Sequence, residues 1–279
     1  MRGLDALSGP KQSPNMLQLI LGFLFAAVIA LAAYRAHSLS RSGALGALLE
    51  GTIIFGLGGW QWAVLLLAFF VSSSVLTRLF AKRKAALNEK FDKGGRRDIG
   101  QVLANGGIAS IFAGLHFFFP AASWTWWMAF AASLAAVNAD TWATELGVLN
   151  PSMPRLITTG KPVERGTSGG ISVLGTLAAI GGATLIAVLA GLVRVSGNFW
   201  MVVGVAILGG LIGSLFDSLL GATVQAIYRC PHCDKETEKH PRHTCGTGTV
   251  QVRGWSWLNN DLVNLGCAAL GAVIGSFLP

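Results

Sequence analysis

The sequence predicts an all-α fold: a polytopic membrane helix bundle of about eight transmembrane helices, with a small Cys/His-rich insertion near its C-terminal end. Three observations predict it. Only 12% of the 279 residues are charged and 52% are apolar, whereas a soluble domain carries about 25% charged residues. Apolar runs of the roughly 20 residues needed to cross the hydrocarbon core recur along the whole chain. The Lys and Arg residues fall almost entirely in alternate connections between those runs. Together these exclude a water-soluble enzyme and a disordered chain. The net charge of +8 is read as loops facing anionic lipid, not as a nucleic-acid surface.

In chain order, the runs are 16–34, 43–59, 61–80, 99–119, 123–148, 168–193, 199–228 and 258–278. The first ends in Ala30-Leu31-Ala32-Ala33, which loosely resembles a signal-peptide cleavage site. It is as long as a full span, so it reads as an anchor. The second holds Glu50 and several glycines, and a seven-span arrangement with that run re-entrant stays open. Ser42-Gly43-Ala44-Leu45-Gly46 and Ser168-Gly169-Gly170-Ile171 both open spans. They suggest either a duplicated helical pair or small residues spaced for close helix packing.

With eight spans, segments 35–42, 81–98, 149–167 and 229–257 share one side. Together with Arg78 they hold 18 of the 21 basic residues, leaving Arg2, Lys11 and Arg194 on the other. The bias places these segments in the cytoplasm and both termini outside. A multi-pass protein of a bacterial or archaeal inner membrane is the expectation. Residues 1–279 form one transmembrane domain, and 229–257 form the insertion within it.

Ionisable residues stand out inside such spans. Asp140, Glu145, Asp217 and Asp261, with Arg78 and Asn105, fall in the cytoplasmic halves of their helices. A carboxylate at the bilayer centre costs roughly 2.5–3.5 kcal/mol on the insertion scale. The four acids are therefore either protonated or gathered around a cation, and Mg²⁺ fits because it takes carboxylates, waters and substrate phosphates. Asp140 and Thr144 share a helix face, as do Asn260 and Asn264 beside Asp261. Gln225 lies two turns past Asp217 on about the same side.

Opposite these acids stand basic loops. One leads through Arg96 and Arg97 into Asp98 and Asn105. The next contains Arg155, Lys161, Arg165 and the turn Gly166-Thr167-Ser168-Gly169-Gly170 at the start of a span. Backbone N–H groups at such a turn favour an anion, and glycine permits close approach. It is not a Walker A loop. Ordinary positive-inside charge accounts for the first loop and accounts poorly for the composition of the second. No Ser/His/Asp triad is present, and His37 and His116 read as structural. Acids at the membrane rim facing basic loops suggest a metal–phosphate site that meets a lipid-borne substrate.

The insertion carries Cys230, Cys233, His240, His243 and Cys245. C-x₂-C followed by H-x-C offers ligands suited to zinc. The expectation is a structural Zn²⁺ on Cys230, Cys233, Cys245 and either His243 or His240; free thiols are the alternative. A disulfide does not suit the cytoplasmic side. Cys267 is apolar filling.

Seven ordered motifs then carry a resemblance. They are Ser72-Ser73-Ser74-Val75-Leu76-Thr77, Gln101-Val102-Leu103-Ala104-Asn105-Gly106, Asp140-Thr141-Trp142-Ala143-Thr144-Glu145, Pro154-Arg155-Leu156-Ile157-Thr158, Gly166-Thr167-Ser168-Gly169-Gly170, Gly213-Ser214-Leu215-Phe216-Asp217-Ser218 and Asn260-Asp261-Leu262-Val263-Asn264. From about Ser42 to the end, the chain resembles the integral-membrane family of phytyl-phosphate kinase of plants and cyanobacteria, domain of unknown function 92, with an animal transmembrane relative. The resemblance implies phosphoryl transfer from CTP or another NTP to a prenyl monophosphate, and distant kinship with CTP-dependent polyprenol kinases. With that reaction, Asp140, Glu145, Asp217 and Asp261 are assigned to the metal. Arg97, Arg155, Lys161, Arg165, Thr167, Ser168, Gly169 and Gly170 hold phosphates. Asn105, Thr144, Gln225, Asn260 and Asn264 orient them, and the isoprenoid tail enters along Trp142. The animal relative lacks the cysteine cluster, so the insertion is expected to brace its loop without taking part in chemistry. Two rivals remain: a transporter or flippase for a phosphorylated lipid or anion, and a CTP-dependent lipid-phosphate cytidylyltransferase. Prenyl chain, nucleotide and oligomeric state are not legible.

Overall fold

The computed structural model describes residues 15–84, 95–194 and 197–277. Arg2, Lys11, Lys90 and Lys93, both chain ends, and the side chains of Lys82, Arg83 and Lys84 lie outside the described residues.

Eight α-helices run through the described residues: α1 Met16–Arg35, α2 Arg41–Ile53, α3 Trp60–Lys84, α4 Ile99–Phe118, α5 Ser123–Gly147, α6 Val173–Val193, α7 Phe199–Thr223 and α8 Asn260–Phe277. Six of them are long and apolar enough to cross a membrane. The other two are α2 and α5. Helix α2 has 13 residues and closes in a π-helical turn, Ile54–Gly58, where glycines crowd the sequence. Helix α5 has 25 residues and is long enough, but carries Asn138, Asp140 and Glu145.

Helix α5 is the axis of the bundle. Its side chains from Trp127 to Ala139 are buried almost completely. Small residues let α7 and α8 approach it closely. A Cβ on Gly209 would come within 2.9 Å of the Ala132 methyl, and one on Gly271 within 2.8 Å of the Ala132 carbonyl. Without a hydrophobic drive between helices in lipid, such close packing and interhelical hydrogen bonds hold them together. Asn138 supplies the bonds: its Nδ2 donates to the Gly182 carbonyl on α6 (2.8 Å), and its Oδ1 accepts from Ser72 Oγ on α3 (3.2 Å). At one end Trp62, Trp127, Phe130 and His116 stack into an aromatic plug.

Short caps and strands set the connections. Ser40, Asp98, Ser172 and Asn198 each accept a backbone N–H at a helix start, and Asp98 with Gln101 forms a reciprocal capping box. Each such cap is worth about 1 kcal/mol. The α1–α2 and α3–α4 connections are tied together: Arg97 N donates to the Ser38 carbonyl (3.0 Å) and Ser40 N to the Arg97 carbonyl (2.9 Å). Strand β1, Arg155–Leu156, pairs antiparallel with β2, Gly170–Ile171. That pairing moves the start of α6 from the expected 168 to Val173. The span expected to reach 228 stops at Thr223, because the chain passes into a three-stranded sheet. Its strands are β3 Ile227–Cys230, β4 Lys235–Thr237 and β5 Val250–Arg253, in the order β4-β3-β5.

Candidate functional site

A cavity of about 470 Å³ opens where α3, α4, α5, α7 and α8 end beside the Pro154–Ser172 loop. Asp140 and Glu145 reach it from α5, Asp217 from α7, and Asp261 with Asn260 and Asn264 from the first turns of α8. Arg97, Asn105, Arg165 and the Gly166–Gly170 turn line the same cavity. Thr144 also lines it. Helical spacing explains the clustering: Asp140 and Thr144, Ser214 and Asp217, and Asn260 and Asn264 lie three or four apart on their helices.

The carboxylates differ in their surroundings. Glu145 is buried, and its Oε1 accepts from Thr77 Oγ1 at 2.9 Å. Asp217 Oδ2 is buried with no hydrogen-bond partner among the described residues. A buried carboxylate oxygen without a donor costs roughly 1–3 kcal/mol or more, and an oxygen-binding cation would remove that cost. The donors gathered here are hard oxygens of Asp, Glu and Asn, the set that Mg²⁺ takes. By donor type these residues suit such an ion.

The loop side of the cavity is built on backbone. Gly166 and Gly169 adopt positive φ, +78° and +82°. A Cβ on Gly169 would lie 2.5 Å from Ala222 of α7, so the turn rests directly on that helix. The Thr167 and Gly170 N–H groups bond to the carbonyls of Glu164 and Thr167. Gly166, Ser168 and Gly169 N–H groups are left as the donors of the turn among the described residues. The turn lies ahead of α6 rather than at its first turn, since Ser172 Oγ caps that helix. Arg97 lies against the Phe69 and Phe70 rings, 5.5 and 5.9 Å from their centroids. Burial pulls its guanidinium down to about 10, opposed by the Glu145 charge, so it stays cationic at neutral pH.

Three expected residues stand outside this cavity. Arg155 is exposed and donates to the Gly160 carbonyl of its own loop (2.8 Å). Lys161 is exposed at the tip of the same loop. Gln225 is buried behind the wall, where Oε1 accepts from Ser168 Oγ (2.6 Å) and Nε2 donates to Glu238 Oε1 (2.9 Å). Trp142 faces α6 and α3, packing toward Gly181 and Gly182 with Nε1 3.4 Å from Ser72 Oγ.

Glu238 itself lines the cavity. The insertion therefore contributes a side chain to the cavity lining. No local spacing announces this, because only the β3–β4 hairpin brings residue 238 back to the helix ends. Gln101, Ser214 and Ser218 were also missed. Their spacing to Asn105 and Asp217 was the available signal.

Beyond Glu238 the insertion gathers a cluster of ligand-type side chains that could hold a metal ion. Donor atoms of Cys230, Cys233, His243 and Cys245 all lie within 4.8 Å of one another. His240 is elsewhere, stacked on Tyr228 with ring centroids 4.4 Å apart. Two tight turns present the thiols. Asp234 at φ +55° follows Cys233 and is held by Arg229 at 2.6 Å, and Gly246 at φ +86° follows Cys245. Hydrogen bonds from Thr247 and His243 pull the Cys245 thiol down to about 5. A hydrogen bond to Cys245 pushes Cys233 up to about 11. His243 Nε2 is buried without a hydrogen-bond partner among the described residues. Three thiols and one imidazole at this separation fit a tetrahedral zinc ion.

The model of the family described as Integral membrane protein DUF92 matches residues 24–272. Protein PGR of Arabidopsis thaliana is 34% identical over 279 residues, covering 91% of this chain and 93% of that protein. Uncharacterized membrane protein MJ0933 of Methanocaldococcus jannaschii is 36% identical over 210 residues, covering 75% and 84%. Protein VTE6, chloroplastic, of Arabidopsis thaliana is 28% identical over 244 residues, covering 85% and 64%. No solved structure matches.

Proposed function

Because the chain belongs to the DUF92 family of integral membrane proteins, we propose that it is a membrane kinase. It transfers the γ-phosphoryl group of CTP or another NTP to a prenyl monophosphate, in a bacterial or archaeal inner membrane with the site on the cytoplasmic face. Likeness to Protein VTE6 and the motifs resembling phytyl-phosphate kinases support the substrate class. One observation carries the reading. Carboxylates and amides of α5, α7 and α8 line a single cavity with Arg97, Arg165 and a glycine turn.

That layout suits phosphoryl transfer, which is mostly a matter of positioning and charge stabilisation. An oxygen of the prenyl phosphate forms a bond to the γ-phosphorus as the bond to the β–γ bridging oxygen breaks, and the nucleoside diphosphate leaves. The attacking phosphate is already ionised near neutral pH, so no strong base is required. Arg97, Arg165 and the Ser168 and Gly169 N–H groups bind the two polyanions and offset the charge on the transferring group. Asn105, Asn260, Asn264 and Thr144 orient them. Asp140, Glu145, Asp217 and Asp261 would hold Mg²⁺, which when bound supplies Lewis-acid neutralisation of the phosphate oxygens. Gln225 acts through Ser168 as a positioning residue. Arg155 and Lys161 add a long-range attraction for anions from the loop tip. Cys230, Cys233, His243 and Cys245 hold a structural Zn²⁺ that fixes the sheet bearing Glu238.

The test is incubation of purified protein with Mg²⁺, each NTP and a panel of prenyl monophosphates. Nucleoside diphosphate and prenyl diphosphate are expected. A CMP-linked lipid with pyrophosphate would make it a cytidylyltransferase. Movement of labelled lipid phosphate across vesicles without either product would make it a flippase.

A further inference from the structure

A second cavity, of about 270 Å³, runs between α1, α2, α3 and α4. Its wall is apolar: Phe25, Ile29, Phe55, Val64 and Leu67 are among its lining residues. Trp60 and Phe70 both line it and lie ten residues apart on α3, so the channel is about 15 Å long. Glu50 is the one carboxylate in the wall. It is 4% exposed, its Oε1 has no hydrogen-bond partner among the described residues, and it presses against Gly106, where a Cβ would overlap it.

The two cavities adjoin. Arg97, Gln101 and Asn105 line both. On one side of those residues are carboxylates, amides and the glycine turn, together with Ile180, Leu211 and Leu215; on the other there is a space walled by hydrocarbon and aromatic rings, open where Phe25, Trp60 and Leu67 are exposed. The ligand that matches a polyanion site adjoining an apolar channel is a single amphiphile, with a phosphate head and an unbranched or methyl-branched tail.

We infer that this channel, and not the α5–α6 surface beside Trp142, binds the tail of the lipid phosphate. The head lies beside Arg97 and the tail runs from Phe69 and Phe70 toward Phe55 and Trp60. The inference rests on the proposed kinase reading for the identity of the head. Arg97 is the turning point, its guanidinium held over Phe69 and Phe70 where head and tail join. Tail burial favours longer chains until the channel is full, so channel volume sets chain-length preference.

Two measurements test it. The first is turnover of dimethylallyl, geranyl and phytyl monophosphates by wild type, Ala63→Phe and Val64→Ala. Filling the channel with Ala63→Phe should lower kcat/KM for the phytyl substrate about ten-fold and leave the dimethylallyl substrate unchanged. Val64→Ala, which removes atoms, should shift preference toward the longer chain. An equal loss on every chain length by both variants would overturn the inference.

The second needs no turnover. A geranylgeranyl monophosphate with a photoreactive diazirine at its tail end is irradiated with the full-length protein in detergent. Labelling of α1–α3 peptides that excess phytyl monophosphate competes away supports the channel. Labelling of α5 and α6 peptides, or labelling that does not compete, would overturn it. Competed labelling in the channel with no diphosphate formed would leave the tail site standing and remove the kinase reading instead.

Discussion

Helices α1 and α5 invert the usual relation between apolarity and burial. Helix α1 is the more apolar, with a mean hydropathy of 2.5 over its best 18 residues, yet only 22% of that window is buried. Val28, Phe25 and Leu31 are all more than half exposed. Helix α5 carries Asn138, Asp140 and Glu145, and it is the helix enclosed by the others. In water the apolar helix would be the core. In a bilayer both environments are apolar, so hydrophobicity does not decide which helix goes inside. Polar groups decide it, because lipid offers them no hydrogen bonds. Asn138 and Glu145 find hydrogen-bond partners on α3 and α6 where these helices surround α5.

The sharpest way to break this comparison is to remove charge from the inner helix. Asp140→Asn should lower Mg²⁺-dependent diphosphate formation by about a thousand-fold, with the melting temperature in detergent kept. Near-normal turnover would remove Asp140 from the metal site. Packing comes next. Ala132→Leu pushes side-chain atoms into Gly209 of α7 and Gly275 of α8, and overpacking of this kind costs about 1–3 kcal/mol. Thermal unfolding should show a loss of several degrees. A smaller effect is expected where the insertion supports the site. Gln225→Leu breaks the Ser168–Gln225–Glu238 chain and should raise the nucleotide KM about ten-fold, a loss of about 1.4 kcal/mol, with kcat less affected. Chelating zinc should move the same KM in the same direction, and metal analysis should find one zinc per chain. The smallest effect belongs to the outer helix. Val28→Leu, at a lipid-facing position, should change stability by no more than about 0.5 kcal/mol. A larger change would mean that α1 packs against something, such as a second copy of the chain.

The sequence made the helices legible where composition alone sufficed. The runs 16–34, 99–119 and 123–148 fall within a residue of α1, α4 and α5. It was least informative where the chain leaves helix for short strands. Residues 168–172 are as apolar and glycine-rich as a span, and only pairing of Gly170–Ile171 with Arg155–Leu156 removes them from α6. The acids on α5, α7 and α8 could be read because their cost in a membrane demands a reason. Glu238 could not, since an acid in a polar loop needs none. The apolar channel was illegible for the opposite cause: a cavity lined by Phe, Ile and Leu is written in the same residues as a lipid-facing wall, and only the packing of four helices separates them. His243 and His240 have equal standing as ligands in sequence, and backbone geometry around Gly246 separates them.

The contact between Gly169 and Ala222 has one more consequence. The glycine turn and the end of α7 are separated at Gly169 only by the thickness of two peptide backbones and the Ala222 methyl group. That thickness works as a gauge block between the anion donors on one side and Asp217, little more than a turn back along α7, on the other. The spacing cannot tighten, and a single added methyl group would open it. A substitution at position 169 therefore changes a length as much as a shape, and the tolerance of the site is set by the smallest residue in it.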